Sequence, residues 1–386
     1  MTSEDVTLLH CYISRGAQLN KPTNDTTKIL EGLMGLFSQN RRWLLFFGTG
    51  TSCALDKRLG MPALTEHLKT ELGDAPDWLQ IKAHIEAGKS LEQALTGVGL
   101  KDKTKSRIQQ ATGGYIAKID REVRDDVLLG KKCWVGERLV KALVQRLPPR
   151  NPRLPIVTAN YDMLIEYACT YHGIRYTTGF SGEIIRTWNW GQAQDSLNQC
   201  RPSQQGARSM VLMDPLPRVE LFKVHGSINR FFHISANRQI ECDLWSEAVP
   251  AGLERIIAVP GDQKYEQYAS IVETAANARR AENEALAFAV TGYAFNDPHL
   301  HEGILGRVCS QDSPLLILTL ELGDDQVKKL LAMGKRVWIL VAPKSPTGDI
   351  DESRTLVYSP EIGAPVVLNN ERLWDCHYFA QRILGG

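Results

Sequence analysis

The sequence predicts an α/β protein with a doubly wound parallel sheet, on three observations. Short apolar runs alternate with longer amphipathic stretches along the 386 residues. Several runs lead directly into a helix-period stretch, and strand then helix, repeated, implies parallel pairing. Residues able to do chemistry gather just past the ends of four runs, the edge of an open α/β sheet where ligands bind. A composition of 43% apolar and 23% charged residues is ordinary for a globular chain, here long enough for one large domain with insertions.

Taken in order, residues 1–40 precede the sheet and read as a helical arm. Residues 43–47 are an apolar run bounded by Gly48, a short buried strand. Residues 63–150 break the alternation: stretches such as "LTEHLKTEL" and "ERLVKALVQRL" predict consecutive helices, a helical insertion after the first strand. The Pro-rich "PPRNPRLP", residues 148–155, closes it and leads into a second strand at 155–159, followed by a helix over 160–172. Residues 182–219 have weak periodicity and many turn formers, and read as a loop insertion or small subdomain. Further strands are expected at 221–224, 255–259, 287–292, 314–319 and 336–341, with helices at 297–307 and 323–333. Residues 346–386 form a C-terminal extension beyond the main unit, 41–345.

Bulk properties exclude several classes. A formal net charge of +1 gives no electrostatic reason for nucleic-acid or membrane binding. The most basic run, "KDKTKSR" at 101–107, lacks interleaved aromatics and suits a solvated helix face. No run reaches the ~18 apolar residues of a membrane span, and the N-terminus shows no secretory pattern. Cys11, Cys53, Cys133, Cys169, Cys200, Cys242, Cys309 and Cys376 are scattered without a C-x-x-C pair, which speaks against a zinc site or a disulfide framework. A cytoplasmic protein with reduced thiols is expected.

Four segments carry the chemistry. Gly48, Thr49, Gly50, Thr51 and Ser52 form a loop of small residues after the first strand. It fits a tight turn and also a close backbone approach to phosphate; Cys53 at the third glycine position departs from the dehydrogenase fingerprint. In "IVTANYDMLIEYA", Asn160 and Asp162 fall where a helix should start, as caps or as holders of ribose hydroxyls. In "LFKVHGSIN", His225 follows an apolar strand and precedes Gly226 and Ser227, a place for a titrating imidazole or for a structural one. In "AVTGYAFNDPHLHEG", Gly292, Asn296 and Asp297 mark a strand end, and Pro298 suits a first helical position. The i, i+2 spacing of His299 and His301 does not put both rings on one helix face, so no metal is expected.

In this order the four segments resemble the sirtuin superfamily: "GTGTS" its Gly-rich NAD loop, "TANYD" its Thr-x-Asn-hydrophobic-Asp motif, "KVHGSI" its His-Gly catalytic segment. The likeness is strongest to bacterial sirtuin-like proteins of anti-phage defence, which share "NYD-x-LIE", "HGS" and "GY-x-FND-x-H". Here these stand at Asn160–Glu166, His225–Ser227 and Gly292–His299, and the C-terminal "LWDCHYFAQRIL" is similar too. The resemblance implies a Rossmann-like NAD-binding domain, spanning 41–345, that cleaves NAD as its substrate. In the defence subgroup NAD is hydrolysed to nicotinamide and ADP-ribose, depleting the cell's cofactor, and one branch works as a homo-oligomer with a HerA-type hexameric ATPase. Protein-deacylating sirtuins carry a zinc module with two C-x-x-C pairs, which this chain lacks.

On that resemblance Asn160, His225 and Asp162 are the catalytic candidates: Asn160 to hold ribose and water, Asp162 to fix the ribose or its loop, His225 as general base. Gly48, Thr49, Gly50, Thr51, Ser52, Gly226, Ser227, Gly292 and Asn296 are the candidates for binding NAD. Two other functions fit the same residues: a non-catalytic NAD or ADP-ribose sensor gating a partner, and an NAD-dependent deacylase or ADP-ribosyltransferase.

Overall fold

Trp43–Phe47 is apolar throughout and buried at every position, as a strand covered on both faces must be. The computed structural model describes residues 24–38, 41–73, 75–95, 98–205, 208–258, 268–345 and 347–385. In it this strand lies inside a nine-stranded sheet, pairing in parallel with Ala287–Thr291 on one side and Arg153–Thr158 on the other. Beyond Ala287–Thr291 come Leu315–Leu318 and Val337–Val341. Beyond Arg153–Thr158 come Arg218–Lys223 and Arg175–Thr177, all parallel. The chain thus builds outward in both directions from its first strand, which makes that strand the topological switch point of a doubly wound fold.

Helices Leu164–Tyr171, Pro298–Gln311 and Asp324–Leu331 follow their strands as the alternation predicts. The first begins at Leu164 rather than at 160, because Asn160–Met163 forms a turn whose side chains are used elsewhere. Helix Asn24–Phe37 lies within the predicted N-terminal arm; residues 1–23 of that arm are outside the described residues. It packs Ile29, Leu33 and Leu36 into the core, with Gly32 against the ring of Trp338. Within 346–386, strands Thr355–Tyr358 and Val366–Leu368 continue the sheet in antiparallel sense, and helix Cys376–Leu384 buries Phe379 and Ala380.

Residues 61–144 supply five helices: Met61–Glu71, Trp78–Glu86, Leu91–Leu95, Asp102–Leu128 and Glu137–Val144. Several of them share an apolar cluster of their own around Leu68, Trp78, Ile81 and Ile108. The 27-residue helix Asp102–Leu128 turns a second face, Ile116, Ile119 and Val123, to the main core.

The strand expected at 255–259 is Leu253–Ile257, and it is not part of the parallel sheet. It pairs antiparallel with Gly226–His233 in a second sheet completed by Arg238–Glu241, Arg186–Trp188 and Phe180–Gly182. The link from Gly226–His233 to Arg238–Glu241 is short enough to force an antiparallel hairpin. Residues 182–219 also hold regular structure: helix Trp190–Asp195 and a separate hairpin, Asn198–Gln205 with Arg208–Pro215. Its first strand, NQCRPSQQ, is polar and holds Pro202, so the hairpin pattern is not legible there. No helix among the described residues is long and apolar enough to cross a membrane.

Candidate functional site

Strands Ala287–Thr291, Trp43–Phe47, Arg153–Thr158 and Arg218–Lys223 are consecutive neighbours, and their carboxyl ends share one edge. The residues that follow them, Gly292, Gly48, Asn160 and His225, therefore meet although they span most of the chain. They line a cavity of about 410 Å³ together with Thr49, Gly50, Asp162, Tyr293 and Asn296. Leu59, Met61, Leu64 and Ile116 form an apolar wall opposite.

The Gly-rich loop faces its own protein. Gly48 N–H donates to Thr291 O and Gly50 N–H to Gly292 O, both at 2.9 Å; Thr51 and Ser52 donate to Gly48 O and Thr49 O at 3.0 Å. A Cβ on Gly48 would come within 2.5 Å of Gly292 O, and one on Gly292, where φ is +62°, within 2.6 Å of Thr51 N. The glycines thus let two loops pack backbone to backbone. The fan of free amides that the sequence suggested for a phosphate is mostly spent on these bonds.

Asn160 ties that loop to the second strand. Its Nδ2 donates to Gly48 O at 3.1 Å and to Ser52 Oγ at 2.9 Å, and a carbonyl partner fixes which end of the amide is nitrogen. Its Oδ1 is buried and has no donor, the kind of atom that calls for a partner. The helix starts four residues later, so Asn160 is no helix cap. Asp162 is closer to that role: Oδ1 accepts from Leu164 N at 3.3 Å and Oδ2 from Ser52 Oγ at 2.7 Å.

Beneath this turn lie buried charges. Lys223 Nζ donates to Asp162 O and pairs with Glu166 at 2.8 Å; both side chains are almost fully buried. Asp120, from the long helix, accepts from Met163 N at 2.8 Å and from the Tyr167 hydroxyl. Burial pushes the Asp120 carboxyl up to about 7, against the pull of those two hydrogen bonds.

His225 sits where the main sheet hands over to the second, and only 7% of it is exposed. Its carbonyl accepts from Ala258 N at 2.8 Å, and the Tyr161 hydroxyl donates to Ala258 O at the same distance. Gly226 makes the handover possible: its φ is +85°, and a Cβ there would lie 2.1 Å from Ile256 O.

Four of the predicted binding residues are placed behind the cavity rather than on its wall. Thr51 Oγ1 donates to Gly48 O, Ser52 Oγ to Asp162, and Ser227 Oγ to Tyr161 O, while Gly226 is packed against the second sheet. Their part is to hold the residues in front. Asp297 caps the helix Pro298–Gln311 by accepting from His299 N at 3.1 Å. The two histidines diverge: His301 Nδ1 meets the Tyr293 hydroxyl at 3.0 Å, its pKa lowered by burial, while His299 lines a separate cavity beside Arg279 and Glu282. Sequence reasoning missed Tyr293, though it stands inside "GYAFND", and the apolar wall, which no local pattern announces.

No family model matches the chain, and no curated protein matches it. Among solved structures, it is similar to one described under "Structural Basis for the Mechanism and Regulation of Sir2 Enzymes", with 12% identity, a TM-score of 0.38, and coverage of 80% of this chain and 90% of that one. It is also similar to a Sir2 homologue, a serine-to-alanine point mutant in complex with ADP-ribose. Identity there is 11%, the TM-score is 0.41, and coverage is 93% of this chain and 94% of that one. The strand order given above is what defines the fold as a doubly wound, Rossmann-like sheet.

Proposed function

We propose that this chain is an NAD-using enzyme of the sirtuin type that hydrolyses NAD to nicotinamide and ADP-ribose at the sheet edge. The observation carrying this reading is Asn160 Oδ1, buried without a donor in a residue on the wall of the cavity that His225 also lines. Such an acceptor suits a ribose hydroxyl or an attacking water. The cavity, at about 410 Å³, lies in the range of small-molecule sites.

Nicotinamide leaves as a neutral ring, so the bond needs orientation more than a push at the leaving group, and the transition state is oxocarbenium-like. Asn160 holds the ribose or the water through Oδ1 while its Nδ2 stays locked to the Gly48 loop. Water adds to the anomeric carbon, nicotinamide departs, and the water's proton passes to the His225 imidazole as general base. Asp162 holds Ser52 and the turn in register. Gly48, Thr49, Gly50, Gly292 and Asn296 shape the wall the dinucleotide lies against.

The motif resemblance extends the proposal: the NAD-binding unit is residues 41–345, and the protein acts in the bacterial cytoplasm as a homo-oligomer with a HerA-type ATPase, depleting NAD in antiviral defence. Incubating purified protein with NAD and quantifying nicotinamide and ADP-ribose tests the core claim. Equal release of both supports hydrolysis. Binding without release would make the chain a sensor, and release that requires an acylated peptide would make it a deacylase.

A further inference from the structure

Arg255, on the strand Leu253–Ile257 of the second sheet, is a buried cation that meets no anion among the described residues. Its residue exposure is 7%, yet its hydrogen bonds run to carbonyls: Nε donates to Ile228 O at 3.1 Å and Nη2 to Ser246 O. Among the described residues no carboxylate pairs with it. Burial lowers its pKa to about 10, so it stays protonated at neutral pH. An uncompensated buried charge is costly, and a guanidinium cannot escape by losing its proton.

The fold makes room for this charge. Gly113, in the interior of helix Asp102–Leu128, lies so close that a Cβ there would fall 2.5 Å from Arg255 Nη1. A mid-helix glycine costs about 1 kcal/mol against alanine, so the contact is kept at some expense. Arg255 lines a cleft of about 740 Å³ between that helix and the second sheet, with Ser106, Gln110, Gly114 and Tyr268 on its walls. Three acids also border the cleft, but Asp102, Glu247 and Glu254 are exposed, and Glu247 is already engaged by Arg121. Solvent screens exposed charges far more than a buried one.

The cleft is connected to His225. Gln109 Nε2 donates to the carbonyls of Arg255 at 2.9 Å and Ile257 at 3.0 Å, fastening the helix to the strand, and the next residue, Ala258, donates to His225 O. We propose that this cleft is a second ligand site, for a phosphate-bearing small molecule of nucleotide size held by Arg255. Its occupancy is transmitted along Arg255–Ala258 to His225. The transmission rests on the proposed NAD cleavage; the binding does not.

The experiment is a calorimetric titration of AMP into the full chain in phosphate-free buffer. The deciding variant is Gly114→Glu, because Gly114 faces open space, lies in a helix, and is on the wall of this cleft but not of the other cavity. Wild type and Gly114→Ala should bind AMP alike, and Gly114→Glu should bind at least about tenfold more weakly, from like-charge repulsion. Absence of AMP binding up to ~1 mM, or binding indifferent to Gly114→Glu, overturns the site. Saturating AMP should also change the rate of NAD cleavage in wild type and not in Gly114→Glu. Binding with an unchanged rate overturns the link to His225. AMP binding in a chain that cleaves no NAD sinks the hydrolase reading and leaves the second site standing.

Discussion

At Gly48–Gly50 and Gly292 two loops lie backbone against backbone, whereas at Asn160 and His225 the chain presents side chains to the same cavity. All four positions follow the ends of adjacent strands, so they share a neighbourhood and differ in what they contribute. The glycine pair gives close approach: its amides are used within the fold and its lack of side chains lets the loops touch. The polar pair gives an unpaired acceptor and an imidazole. The comparison teaches that a Gly-rich loop at a sheet edge can serve a site by packing alone, leaving the chemistry to its neighbours.

The sharpest way to break this division is at His225. Replacing it with alanine should lower NAD cleavage by about 10²–10⁴-fold, the range of a general base, with little change in melting. Nicotinamide release within a few-fold of wild type would move the base elsewhere. Asn160→Asp comes next, because Asn160 straddles both kinds of contact. The carboxylate loses the donor to Gly48 O and Ser52 Oγ and sits near Asp162. Turnover should fall by roughly 10²-fold and stability by about 1–3 kcal/mol; an unchanged melt would show that the loop does not depend on this amide.

Gly292→Ala tests the packing side. A Cβ at φ +62° and 2.6 Å from Thr51 N should cost about 2–4 kcal/mol, read as a lower urea midpoint. Gly114→Ala, in open space, should instead raise stability by about 0.5–1 kcal/mol, read as a higher urea midpoint. Equal effects of the two would show that contact between the loops is not what the glycine serves.

The smallest effect concerns Asp120 beneath the site. Its carboxyl titrates near 7 in the fold, above an ordinary aspartate, so between pH ~4 and ~7 the native state binds more protons than the unfolded chain. Stability should therefore decline as pH rises through that window. Asp120→Asn, which keeps an acceptor for Met163 N, should flatten the decline in urea titrations run at several pH values.

By itself the sequence determined the strand-and-helix alternation of the main sheet, the helical character of 63–150, and the residues that close four strands. These are local matters: apolar period, turn formers, and the cap at Asp297 with Pro298 behind it are written within a few residues. Tertiary structure decided which strands are neighbours, and hence that Gly292, Gly48, Asn160 and His225 meet at all. It sent Leu253–Ile257 into an antiparallel sheet, although that apolar run looks like the others, because a local run does not specify which strand it pairs with. It spent the loop's amides on Thr291 and Gly292, and brought Leu64 and Ile116 across to wall the cavity. It also buried Arg255 with no carboxylate paired to it among the described residues. An apolar run reports that a segment will be covered, but what covers it is settled only when distant surfaces are buried together.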